Sequence, residues 1–264
     1  MKEKTKKKRH PITLVIILIA LAVMIFALVK IGGIYKDYQE SEKTFQTLES
    51  EYVINPNGGT GALWQDGTRI QFEELQKENP DIKAWLRFDN YDDVHISYPI
   101  LYSGDDDTYL RSDIYGNYHI AGCIFLEGLN HPDFSDYHSI VYGHNMRNTT
   151  MFGDLKRYKN EEGFYENNQY FNIYTEDKVL RYQIFSYYDV DQNDEVYTVG
   201  YGPDDSWQSM IDRMVAASYK DTGIHPTKDQ KIVTLSTCTS SGETQRTLSR
   251  QIKRYFRNSG RIIL

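Results

Sequence analysis

The polar and apolar order of the chain opens on an unbroken run, ITLVIILIALAVMIFALV, Ile12 to Val29, with no formally charged side chain over eighteen residues. As a helix rising about 1.5 Å per residue it extends roughly 27 Å, close to the hydrocarbon thickness of a bilayer. It is longer than the ~7–15 residues of a signal-peptide core, and IGGIYKDY beyond it makes no convincing cleavage site, so the run predicts an uncleaved membrane anchor. The next stretch, IYKDYQESEKTFQTLESEY (34–52), is charged and favours helix. Its Tyr38, Phe45, Leu48 and Tyr52 recur at spacings of three, four and seven, which fits either a stripe packed on a domain or a solvated stalk. INPNGGTG (54–61) then reads as a turn or linker, and QFEELQKENPD as a short helix that must end near Pro80.

From residue 83 the period changes. KAWLRF, VHISYPIL, HIAGCIFL, HSIVYG, KVLRYQIFSYYDV and QKIVTLSTC are short runs rich in Val, Ile, Tyr and Phe. Turn residues separate them, and the pattern predicts many short strands in a barrel or sandwich. One helix interrupts it, PDDSWQSMIDRMVAASYK, with Trp207, Ile211, Met214, Val215 and Ser218 on one face and aspartates in the first turn, where the helix dipole favours them. That face is expected to pack on the sheet. The 22 tyrosines among 264 residues agree with a mainly β class.

Charge assigns an orientation. The first ten residues carry six Lys/Arg against one Glu, while the chain as a whole is −7, so the remainder carries −12. A basic tip before an apolar run keeps the tip cytoplasmic and places the bulk of the chain outside. The acidic body argues against nucleic acid as its partner. With only Cys123 and Cys238, the chain has neither a disulfide framework nor the spacing of a zinc site. A single bridge between the two is the bland alternative to a reactive thiol. The run Asp105, Asp106, Asp107 reads as a solvated turn, and no metal site or cofactor is expected.

Three residues can carry chemistry. Cys238 ends the β-branched run KIVTLST and precedes the polar TSSGE, a place where a nucleophile is rigidly held yet open; its rival reading is a small buried apolar group. His144 ends HSIVYG in IVYGHNM, again at a strand end, and is the best placed of the six histidines outside the basic tip to act as base. Arg246 follows Cys238 by eight residues, so that it returns on a next strand, RTLSRQIKRYF, where its fork of donors suits an oxyanion. Arg250, Arg254 and Arg257 are alternatives by spacing.

TLSTC with an Arg at plus eight, and YGHNM upstream, resembles the sortase family, specifically its class B. NPDIKAWLRF, YPILYSGDDDTYL, AGCIFLEGLNHPDFSDYHSIVYGHNM and MFGDLKRY extend the resemblance in order and spacing over roughly residues 70 to 250. The resemblance implies a closed β-barrel with short helices, an N-terminal helical segment and one transmembrane helix. It also implies a layout of basic tip (1–11), anchor (12–30), helical stalk or linker (31–68) and catalytic barrel (69–264). By the same resemblance Cys238 attacks a Thr carbonyl in an Asn-Pro-x-Thr-like C-terminal sorting signal of secreted proteins. His144 supplies the proton to the leaving amine, and Arg246 holds the oxyanion. A peptidoglycan precursor or cross-bridge amine then resolves the thioester. Ser236 and Leu110 match positions that line the signal's groove, and no cofactor is implied. An extracellular cysteine peptidase or amidase using water, and a non-catalytic wall-binding β domain, are the rival readings.

Overall fold

The computed structural model describes residues 11–54, 67–191, 193–238 and 261–263. Helix α1 (Pro11–Tyr52) runs without a break for 42 residues, joining the apolar run to the charged stretch that follows it. Its N-terminal part is wholly exposed, with a mean hydropathy of 3.1 over eighteen residues, and is long and apolar enough to cross a membrane. The C-terminal part is docked. Phe45 and Leu48 are buried in the core, with Tyr38 and Tyr52 packed against it, so packing rather than solvation accounts for the stripe. Phe45 meets Tyr98 edge to face at 5.3 Å. One turn further on, the Glu49 carboxylate takes Arg87 and the Tyr91 hydroxyl (3.0 Å).

Strands β1 (Val53–Ile54) and β2 (Arg69–Ile70) pair with each other, and α2 (Phe72–Glu78) ends ahead of Pro80 as the sequence predicts. The main sheet contains β3 (Ile82–Phe88), β4 (Ser97–Leu101), β5 (Ile124–Leu126), β6 (His138–Tyr142), β7 (Tyr170–Tyr174), β8 (Val179–Gln183), β9 (Tyr188–Val190), β10 (Ile232–Cys238) and β11 (Arg261–Ile263). Their order is β8-β7-β3-β4-β5-β6-β10-β11-β9. The sheet curls into a nearly closed barrel, with β4–β5 and β6–β10 parallel and its other pairs antiparallel. Pro99 is tolerated inside β4 because the pairing of that strand with β5 begins only at Ile100.

Three details depart from the sequence reading. The run 178–190 is two strands, β8 and β9. Strand β7 was not among the predicted runs; its central Asn172 interrupts the apolar pattern and is buried because Asp89 accepts its amide at 2.6 Å. In the late helix, α5 (Asp205–Ala217), the buried face is Trp207, Met210, Ile211 and Met214; Val215 and Ser218 sit only half-buried at its edge. Short helices α3 (Arg157–Asn160) and α4 (Phe164–Asn167) lie between β6 and β7. The predicted strand over 246–256 lies outside the described residues; the strand found antiparallel to β10 is β11.

Docking of α1 is an apolar contact at Leu48, so Leu48→Ala is expected to cost about 2–4 kcal/mol. Urea unfolding of the detergent-solubilised full chain measures this. An unchanged midpoint would show that the C-terminal part of α1 does not rest on the barrel.

Candidate active site

Strands β6 and β10 are neighbours in parallel register, Ile232 opposite His138 through Ser236 opposite Tyr142, and the Gly143 N–H donates to the Ser236 carbonyl at 3.1 Å. Two residues past that last pair come His144 on one chain segment and Cys238 on the other. The pairing therefore brings together two residues separated by more than ninety positions. On its other side the backbone of Cys238 pairs with Arg261. Arg246 lies outside the described residues.

The ring of His144 is buried, 9% exposed. Its Nε2 lies 2.8 Å from the Leu110 carbonyl oxygen. A carbonyl can only accept, so Nε2 carries the hydrogen and, in the neutral ring, the lone pair belongs to Nδ1. Burial, reinforced by the neighbouring Arg111 guanidinium, pushes the imidazole down to about 4, against a smaller opposing effect of the Leu110 hydrogen bond. At neutral pH the ring is an uncharged base, with Nε2 engaged and, among the described residues, no hydrogen bond at Nδ1.

Leu110 ends the 3-10 turn Thr108–Leu110, and the backbone of Gly122 lies close against its carbonyl. Gly122 has φ +54°, and a Cβ there would fall 2.5 Å from the Leu110 oxygen and 2.6 Å from that of Tyr109. Asp105 caps the turn by accepting the backbone N–H groups of Asp107 (2.8 Å) and Thr108 (2.7 Å) and the Thr108 hydroxyl (2.8 Å). The aspartate run is thus a turn, as the sequence suggests, though Asp106 reaches out of it to accept the Gly128 N–H at 2.8 Å. Ser236 is buried with its hydroxyl 3.3 Å from Tyr197, and the Leu110 side chain is buried in the core.

The remaining candidates separate cleanly. Cys123 is a free, buried thiol donating to the Ser112 carbonyl at 3.3 Å, and burial pushes it well above its ordinary range; it forms no bridge with Cys238. His138, at the start of β6, is a satisfied core histidine. Its Nδ1 donates to the Thr198 carbonyl (2.9 Å) and its Nε2 accepts from Thr234 (2.8 Å), with burial lowering the ring to about 4. The two buried histidines flanking one strand are therefore neutral in opposite tautomers. His131 is exposed and raised by its hydrogen bond to Asp136. Arg111 and Glu127 were missed in the sequence; no spacing rule joins either to a histidine or cysteine elsewhere in the chain.

Comparison with known proteins bears on the family and the fold. The sortase domain family model matches residues 91–252. Sortase B of Staphylococcus aureus is 26% identical over 227 residues, covering 86% of this chain and 89% of that protein. Sortase B of Listeria monocytogenes is 26% identical over 221 residues, covering 84% and 87%. Among solved structures, sortase B from Bacillus anthracis superposes with a TM-score of 0.67 at 26% identity, over 87% of this chain and 96% of that one.

Two outcomes follow from the ring environments. In 13C–1H spectra of the histidine rings, His138 and His144 are expected to stay neutral until the pH falls to about 4, while His131 titrates above its ordinary 6.5. Titration of His144 near 6.5 would contradict its burial. Gly122→Ala places a side chain in the left-handed region against the Leu110 carbonyl, which costs at least about 1 kcal/mol. It should move that oxygen away from His144 and, by removing the hydrogen bond that favours the charged ring, lower the ring's pKa further; an unshifted ring would show that Leu110 does not need Gly122.

Proposed function

Because the chain belongs to the sortase family, in its class B branch, and is a cysteine transpeptidase of that family, we propose that Cys238 is its nucleophile, His144 its general acid and base, and Arg246 its oxyanion holder. The observation that carries this reading is the neutral, buried imidazole tethered through Nε2, two residues past a strand paired with the one that ends in Cys238. Its free Nδ1 lone pair suits a base that accepts the thiol proton as sulfur attacks.

The substrate is a secreted protein with an Asn-Pro-x-Thr-like C-terminal sorting signal. The Cys238 sulfur adds to the Thr carbonyl, its proton passes to His144, and the negative oxygen is held by Arg246. When the carbon–nitrogen bond breaks, His144 returns that proton to the departing amine. A thioester remains on Cys238. A peptidoglycan precursor or cross-bridge amine then attacks it, gives a proton to His144, and releases the thiolate, which is reprotonated. The acyl group stays activated throughout, so no nucleotide is consumed. Leu110 and Ser236 are the floor of the signal groove in this reading, being buried residues beside His144 and Cys238.

The exposed N-terminal part of α1 is the anchor, residues 12–30, with the tip 1–11 cytoplasmic and the barrel (69–264) outside, consistent with the basic tip and acidic remainder. Residues 31–68 connect the two. Substrate and acceptor both reach the enzyme at the outer membrane surface in this layout.

Incubation with sorting-signal peptides, followed by mass spectrometry of the intact protein, should reveal an acyl adduct that an added amine discharges as a ligated product. Cys238→Ala abolishes the adduct, and Arg246→Ala lowers turnover by about 10²–10³. Turnover persisting without Cys238 would remove the reading. Product formation indifferent to the amine would make the enzyme a hydrolase instead.

A further inference from the structure

Glu127 follows β5 and is only 8% exposed, an expensive place for a carboxyl group. Tyr142, the last residue of β6 and two before His144, donates its hydroxyl to Glu127 Oε2 at 2.6 Å, with its ring against Phe125. From the other side Asp106 hydrogen-bonds to the same carboxyl and accepts the Gly128 N–H at 2.8 Å. Asp106 belongs to the loop that runs into the Thr108–Leu110 turn, whose last carbonyl holds His144. Glu127 is thus the link between the strand that carries the imidazole and the loop that carries the oxygen orienting it.

We propose that Glu127 is a positioning residue for His144, clamping the Leu110-bearing loop to β6 through Asp106 and Tyr142. This rests on the reading of His144 as the catalytic base. Two carboxyl groups joined by a hydrogen bond must share a proton, so the clamp holds while Glu127 is protonated. When it ionises, two carboxylates face each other. Burial is the main effect raising Glu127, to about 7, and the Asp106 charge adds to it; the Tyr142 hydroxyl and the Leu129 N–H act in the opposite sense. Nearby, Tyr102 holds the Gly128 carbonyl at 3.1 Å, and Asp105 is turned inward on its own turn. The sign follows: a raised carboxyl keeps the clamp closed below its folded value and releases it as pH rises through about 7.

Glu127→Gln separates this from a merely structural role, because the amide donates to Asp106 and accepts from Tyr142 at every pH. Glu127→Ala cuts both bonds. The first readout, on the full chain, is the Nε2-bound proton of His144 in 15N–1H spectra. It is expected to be sharp in the wild type below pH 7 and broadened by exchange above it, sharp up to pH 9 in Glu127→Gln, and absent in Glu127→Ala. The second is transpeptidation, expected to fall roughly ten- to a hundredfold in Glu127→Ala, while Glu127→Gln removes that part of the wild-type decline above pH 7 which the clamp causes. A His144 signal in Glu127→Gln that follows the wild-type pH course overturns the proposal. So does an intact signal in a folded Glu127→Ala. If Glu127→Ala fails to fold, the Gln comparison decides alone. Absence of any transpeptidation would count against the proposed function, while the His144 signal would still judge the clamp.

Discussion

Five register pairs between two parallel strands, β6 and β10, carry the rest of this molecule. Parallel neighbours cannot be joined by a tight turn, so the chain between them must make a long crossover. Here that crossover contains α3, α4, β7, β8, β9 and α5. What the pairing delivers is local: both strands point the same way, so both end at the same rim. The imidazole of His144 and the backbone of Cys238 are delivered together. His138 reinforces the pairing at the opposite end, where its ring binds Thr234 across the two strands.

The electrostatic character of the rim follows from burial more than from charge. A solvated histidine beside an acid is drawn towards its charged form, as the hydrogen bond to Asp136 does to His131. His144 is instead enclosed, near Arg111, and fixed in one tautomer by a backbone oxygen. A ring that is uncharged at rest keeps a lone pair able to accept a proton, and it needs no permanently charged partner in a partly dry place. The same enclosure explains why the loop behind the ring is densely hydrogen-bonded: its own turn is capped by Asp105, and its position is set by Asp106 and Gly122. A carbonyl that fixes the tautomer of a buried ring must itself be held still.

The other constraint is mechanical. Helix α1 is continuous from its exposed apolar part to residues packed on the barrel, so a segment long and apolar enough to cross a membrane and the barrel share one helix. Gly32 and Gly33 lie within it, yet the helix passes through them, since two glycines cost only about 2 kcal/mol relative to alanine and the flanking segments are strong. Phe45, Leu48 and the Glu49–Arg87 pair then determine how the barrel is oriented about that axis.

Much of this was legible in the residues themselves. Periodicity alone separated the apolar helix, the short strands and α5, because side-chain spacing is a local property. The strand-end positions of Cys238 and His144 were readable for the same reason. Strand β7 was not, since Asn172 breaks its pattern and is accommodated by an acid, Asp89, just past a strand far away in sequence. Nor was the union of the two helical segments, which depends on what the second one packs against. The chain order determined which groups are available and that each sits at the end of a strand. Only the tertiary structure decided that β6 and β10 are neighbours, that Leu110 selects the tautomer of His144, and that Glu127 lies between them. Those are contacts between distant segments, and their energies come from burial, which no single stretch of sequence contains.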